Sequence, residues 1–168
     1  MKKFLLLLGC LMSIQCIAQQ SAKAPDCKSA EHRQFDFWVG NWEVSDKEGD
    51  LLGHNHIKLI LNDCVLQENW TGAKGSEGKS FNFYDRQTQQ WHQTWIDNAG
   101  NPLYFDGGME KDTMVLKGHR LGRDGKPVLH KLSLTPLEDG RVKQFWQASR
   151  DEGKTWMDVF LGFYKKKE

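Results

Sequence analysis

The chain has 168 residues, with 23 Lys and Arg against 22 Asp and Glu and a formal net charge of +1. That near-neutral balance, with no basic stripe, argues against nucleic acid or an anionic membrane surface as a partner. After residue 18 no apolar run approaches the length of a membrane-spanning helix, so no integral membrane segment is expected in the mature chain.

The chain opens MKKFLLLLGCLMSIQCIAQQ. Lys2 and Lys3 form a positive start, Phe4 to Ile17 an apolar centre, and Cys16-Ile17-Ala18 supplies small residues for cleavage. This pattern predicts a secretory signal peptide over residues 1–18 and a periplasmic or secreted protein. Leu7-Leu8-Gly9-Cys10 mimics a lipobox, but only Phe4 to Leu8 precede its last two residues, so a lipoprotein is the lesser reading. Residues 19–33 then form an N-terminal segment, and residues 34–168 are the length of a single domain. Cleavage removes Cys10 and Cys16 and leaves Cys27 and Cys64 as the only pair in an oxidising compartment. A disulfide closing that loop of 37 residues is the expectation, with two unpaired thiols as the alternative. Two isolated cysteines are too few ligands for a metal, and no metal site is assigned.

A short helix is expected before the first strand. Ser29 is a suitable N-cap, Phe35, Trp38 and Val39 fall at helical spacing, and Gly40 suits the exit. Beyond it, runs of β-branched and aromatic residues alternate with turn signals: KEGD, AKGSEGK, DNAGN, GRDGK, EDGR and DEGKT. Ten strands follow, over 41–47, 52–61, 64–71, 80–85, 91–97, 102–109, 113–120, 128–135, 141–149 and 156–165. Connections this short pair neighbours antiparallel and leave no room for a crossover helix. Closure removes exposed edges, so the predicted fold class is all-β, an antiparallel up-and-down β-barrel of about ten strands with a short N-terminal helix.

Gly40-Asn41-Trp42 at the start of the first strand resembles the G-x-W opening of the lipocalin and nitrobindin-type calycin barrels. That resemblance implies that Trp42 seals one end of the barrel beneath the N-terminal segment. FDFWVGNWEV (from Phe35), CVLQENW (from Cys64), WHQTWID (from Trp91) and SRDEGKTW (from Ser149) together resemble a group of uncharacterised secreted bacterial domains. The likeness runs from Phe35 to Tyr164 and implies a fold, not an activity. The T-D-Y turn of lipocalins proper is absent, so the resemblance is to a broader calycin-like barrel. Nitrobindin-type barrels hold haem through a late histidine. The last histidine here is His130 and the final two strands contain none, so no cofactor is expected; His92 or His119 would need another geometry. His54 and His56 share a strand face with Lys58, which reads as solvated surface before it reads as a chelate.

SRDEGKTW fills the fixed positions of the sialidase Asp-box, S-x-D-x-G-x-T-W. In sialidases the box closes a hairpin away from the sugar, and a propeller would need several boxes in a longer chain. Ser149, Asp151, Gly153, Thr155 and Trp156 are therefore expected to order a turn, and glycoside hydrolysis is not expected from them.

Alternate strand residues share a face. On that basis Glu68 pairs with Trp70, Gln93 with Trp95, and Gln144 with Trp146, while Asn55 opposes the charged face of its strand. With these faces inward, the lumen mixes indoles with amides and one carboxylate, as small-molecule sites do. Asn55, Glu68, Trp70, Gln93, Trp95, Gln144 and Trp146 are the candidate ligand-binding residues, and no catalytic residue is assigned. Against this stand tryptophans that only fill a core and a Glu68 on the outer face. An inward Glu68 would need a partner, and Arg120 and Arg141 are candidates. The reading is an exported barrel that binds a small apolar or amphipathic ligand without catalysis. The alternatives are a hydrolase or isomerase-type enzyme using Glu68 or Asp97, and an interaction module with a filled core.

Overall fold

The computed structural model describes residues 26–167. The expected signal peptide, residues 1–18, lies outside them, as do residues 19–25 of the N-terminal segment. Ten strands form one closed antiparallel barrel in which each strand pairs with its sequence neighbours and the first pairs with the last. They are β1 (Gly40–Ser45), β2 (Leu51–Ile60), β3 (Val65–Gly72), β4 (Glu77–Asp85), β5 (Gln90–Asp97), β6 (Pro102–Glu110), β7 (Thr113–Leu121), β8 (Pro127–Pro136), β9 (Val142–Ser149) and β10 (Met157–Lys166). The expected strands match these within a few residues, because Gly, Asn and Asp turn chemistry marks each reversal. Among the described residues no helix is long and apolar enough to cross a membrane.

The helical element is shorter than its sequence spacing suggests. It splits into α1 (Ala30–Arg33) and a 3₁₀ turn, Asp36–Trp38, at Phe35, whose φ of −102° and ψ of 6° leave the helical region. Ser29 occupies the N-cap position, but its hydroxyl pairs with His32 Nδ1 at 2.8 Å and caps no backbone amide. The break lets Phe35 and Trp38 turn into the barrel together, stacked with ring centroids 5.1 Å apart.

An up-and-down barrel sends all its odd strands one way and its even strands the other. α1, the 3₁₀ turn and the β2–β3 and β4–β5 turns therefore gather at one end, the lid end. The β3–β4, β5–β6, β7–β8 and β9–β10 turns gather at the other, the mouth. The lid end is aromatic and closed: Phe35, Trp38, Trp42, Trp91 and Tyr164 are all buried. Trp42 Nε1 donates to the Trp38 carbonyl at 2.8 Å, and Phe35 meets Trp91 edge-on at 5.5 Å. Cys27 and Cys64 stand at disulfide distance with Cα atoms 5.0 Å apart, joining the segment before α1 to the β2–β3 turn.

A β-bulge sets the mouth. Asp158 pairs with Gln147 and Phe160 with Trp146, so the register shifts by one between them. Phe160, Gly162 and Tyr164 face inward as a result, and exposed Val159 is the extra residue.

Candidate functional site

Three strands carry the same short pattern, a polar residue followed two positions later by tryptophan: Glu68-x-Trp70, Gln93-x-Trp95 and Gln144-x-Trp146. β3, β5 and β9 are all odd strands and run from lid to mouth. Inward-facing, the pattern puts each polar group at mid-height and each indole one pleat nearer the mouth. The lumen is thus layered: lid aromatics, a polar belt, then mouth aromatics.

A cavity of about 290 Å³ opens inside the barrel. Six of the seven candidate ligand-binding residues line it: Glu68, Trp70, Gln93, Trp95, Gln144 and Trp146. The seventh, Asn55, is buried beside the cavity and donates to Glu68 Oε1 at 2.7 Å. Trp38 closes the inner end, and Phe160 joins the three mouth tryptophans, meeting Trp70 edge-on at 6.0 Å.

The indoles are held by their N–H groups and by space made for them. Trp70 Nε1 donates to Ser76 Oγ at 3.3 Å, and Trp146 Nε1 donates to His130 Nδ1 at 3.1 Å. Trp95 lies across Gly78 on the neighbouring strand. A Cβ at that glycine would stand 2.1 Å from Trp95 Cζ2, so no larger residue leaves the indole where it is.

The polar belt is one hydrogen-bonded chain directed at Glu68. Gln93 Nε2 donates to Asn82 Oδ1 at 2.6 Å, Asn82 Nδ2 to Ser80 Oγ at 2.8 Å, and Ser80 Oγ to Glu68 Oε2 at 2.7 Å. From the other side comes Asn55, while the Tyr164 hydroxyl donates to Gln144 Oε1. Glu68 itself is 4% exposed. Burial pushes its carboxyl up to about 7, against the opposing pull of the Ser80 and Asn55 hydrogen bonds. Burial and the nearby Glu68 charge hold the Tyr164 phenol well above the usual range, and it stays neutral.

Neither arginine expected as a partner reaches Glu68. Arg120 lines the mouth and donates to Asn101 Oδ1 at 2.9 Å, while Arg141 pairs with Asp139 at 2.7 Å. The carboxylate sits at mid-height in the lumen, whereas Arg120 is near the end of β7 and Arg141 lies in the β8–β9 turn. Asp97 also lines the mouth, but it accepts from the Asn101 and Ala99 amides at 2.8 and 2.9 Å. Those bonds hold it below the usual carboxylate range and tie it to the β5–β6 turn.

Ser80, Asn82, Trp38, Phe160 and Tyr164 complete the site and were not anticipated from the sequence. KSFNFYD would conventionally turn its phenylalanines inward. Here Phe81 and Phe83 are 46% and 37% exposed, while Ser80 and Asn82 are buried. The only cue is the match in spacing between Ser80/Asn82 and the polar positions of β3 and β5.

The remaining singled-out residues lie elsewhere. His54 and His56 are on the outer face of β2; His92 pairs with Asp106 at 2.5 Å and His119 with Glu152 at 3.1 Å. Gly40 begins β1 and Trp42 packs under the lid. Ser149 to Trp156 form the β9–β10 turn. Ser149 Oγ donates to Asp151 Oδ1 at 2.7 Å and accepts from the Gly153 amide at 2.8 Å. The Thr155 amide and hydroxyl donate to Asp151 at 2.8 and 2.6 Å, and Thr155 foremost lowers the Asp151 carboxyl to about 2. Trp156 lies against Gly153 with Lys131 Nζ over its ring at 4.3 Å.

Fold and cavity define a closed ten-stranded antiparallel barrel with an aromatic lumen and a buried carboxylate. Comparison with protein-family models yields no match for this chain, and comparison with curated proteins yields none either.

Proposed function

We propose that this chain is an exported, calycin-like barrel that binds one small apolar or amphipathic molecule in its lumen without transforming it. The observation that carries this reading is the cavity itself. Its volume of about 290 Å³ is at the small end of ligand sites, suited to a molecule of one or two rings. Indoles supply flat walls from three sides, and the belt of amides and carboxylate offers a polar anchor at the base. An open lumen weighs against a filled-core module. Export rests on the Lys2 to Ala18 pattern and on a cysteine pair suited to an oxidising compartment.

Glu68 favours one second reading. A carboxyl near pKa 7 facing a cavity has the properties of a general acid or base, as an isomerase-type enzyme would need. Asp97 lends itself less to that role, since its turn bonds stabilise the ionised form.

The test is native mass spectrometry of protein purified from its own host, joined to titration with naphthol as a neutral bicyclic probe. Carriage predicts one small-molecule adduct per chain, unchanged after incubation, and saturable quenching of tryptophan fluorescence. A chain that quenches with no probe and carries no adduct is not a lumen binder, and chemical conversion of the adduct would select the enzyme reading.

A further inference from the structure

Glu68 is a buried carboxylate for which the described residues provide donors but no cation. Among the described residues, no ion pair joins it to a lysine, arginine or histidine. A buried carboxylate is normally paired, and leaving one unpaired is costly. Yet the surrounding hydrogen bonds are oriented for the anion. Ser80 and Asn55 each donate to a different oxygen, and Ser80 is itself held by Asn82, which is held by Gln93. Both carboxyl oxygens accept as the groups stand, and a protonated Glu68 would need one donor to turn away, Asn55 being the one whose Oδ1 has no hydrogen-bond partner.

The rest of the cavity points the same way. Three carboxylates, Glu68, Glu77 and Asp97, line it against the single guanidinium of Arg120. Arg120 is exposed at the mouth, engaged with Asn101 and close enough to Asp97 to lower its carboxyl. On the mouth side of Glu68 stand Trp70, Trp95, Trp146 and Phe160, with Trp38 on the lid side. Aromatic faces attract cations, most strongly where water is excluded.

We propose that the lumen ligand is an organic amine, bound as its ammonium ion, whose charge is neutralised by Glu68 while its hydrocarbon body packs among the mouth indoles. This rests on the lumen-binding reading above and specifies its chemical class. The ligand supplies the counter-ion that the described residues omit. An empty barrel then bears the cost of an isolated carboxylate, and an amine relieves it. A neutral or anionic molecule of the same shape gains no such relief, so the site selects by charge as well as by size.

The pH dependence follows from the same group. Facing Glu68 are the neutral Asn55 on β2, Ser80 on β4 and the un-ionised Tyr164 on β10; Glu77, Asp97 and Arg120 stand at the mouth, and His130 lies behind Trp146. His130 is held below its usual range by burial, and Asp97 by its turn bonds, so Glu68 is the carboxyl that titrates near neutrality.

The experiment is calorimetric titration with three molecules of one shape, naphthylmethylamine, naphthylmethanol and naphthoate, with naphthol as reference. The amine is expected to bind at least about tenfold more tightly than the alcohol or the acid at about pH 8, and to lose roughly tenfold by about pH 6. Naphthol should change by less than about threefold over that interval. Glu68→Gln should bring the amine and the alcohol within about threefold of each other while naphthol still binds. If that variant does not fold, the wild-type pH series decides alone, and an amine affinity that stays flat overturns the proposal. Equal or tighter binding of the alcohol or acid overturns it too, leaving lumen binding intact, as does a Glu68→Gln protein that keeps the amine preference. Failure of every probe, naphthol included, brings down lumen binding itself.

Discussion

The two ends of the barrel use the same residue type for different ends. At the lid, Trp38, Trp42 and Trp91 are each 1% exposed and pack against Phe35 and Tyr164. At the mouth, Trp70, Trp95 and Trp146 are only half-buried, and their inner faces border a cavity. The lid end is also tied by long-range links: Cys27 to Cys64, Trp91 Nε1 to Gln34 at 3.2 Å, and Arg33 to the Asp63 carbonyl. Mouth indoles are held by Ser76 of the β3–β4 turn, by Gly78 and His130 on adjacent strands, and by the Trp70–Phe160 contact across the lumen. An aromatic ring satisfied on all sides contributes stability, whereas a ring bordering a void keeps contact area in reserve. The lid stabilises the barrel, and the mouth is where the proposed ligand would gain its binding energy.

Substitutions at matched tryptophans separate those roles most sharply. Trp91→Ala should cost about 3–5 kcal/mol of folding stability, the range for a large buried aromatic, read by denaturant titration. A loss below about 1 kcal/mol would mean that the lid is not the stabilising end. Next in size is the cysteine link. Thiol labelling of denatured, unreduced mature protein should find no free cysteine, and Cys27→Ser with Cys64→Ser should lower stability by about 3–4 kcal/mol. Naphthol affinity should stay within about threefold, because the link is remote from the mouth.

The polar belt between the two ends should show itself in pH. The Glu68 carboxyl is raised from 4.5 in the unfolded chain to about 7 in the barrel. The folded state therefore holds this proton more tightly. Stability from this group is full below the unfolded value and is lost as pH rises from about 4.5 through 7, by roughly 3 kcal/mol. Denaturation across this window should show wild type declining relative to Glu68→Gln; parallel curves would place the carboxyl outside the low-dielectric belt. At the mouth, Trp95→Ala should weaken naphthol binding by roughly 2–4 kcal/mol, as for buried aromatic anchors. Its stability loss should be smaller than that of Trp91→Ala, and the reverse order would invert the comparison. The smallest effect belongs to the β9–β10 turn. Asp151→Ala should lower the melting temperature by about 2–5 °C without changing naphthol affinity, since its bonds serve the turn alone.

Much of this site was legible in the chain. The Glu68/Trp70, Gln93/Trp95 and Gln144/Trp146 pairs could be read from strand periodicity, and their common direction follows once the strands are antiparallel. Asn55 was legible because His54, His56 and Lys58 occupy the other face. What escaped reading was β4, where Phe81 and Phe83 point outward and Ser80 and Asn82 inward. Their orientation is dictated by pairing, Ser80 opposite both Glu68 and Trp95, which lie on other strands. Tyr164 and Phe160 escaped for a related reason, since the bulge at Asp158–Phe160 resets the parity of β10.

The sequence by itself determined the strand count, the turns and the up-and-down order, because these depend on local backbone preferences and on connections too short to cross. Outside the β10 bulge it also determined which residues share a face within one strand, since pleat alternation holds wherever pairing is regular. Only the tertiary structure decided that Glu68 has donors from two neighbouring strands and, among the described residues, no cation. Only there did the three tryptophans of β3, β5 and β9 converge on a void instead of filling it. Those facts depend on cross-strand register and on the width of a closed barrel, quantities fixed by all ten strands at once and carried by no single segment.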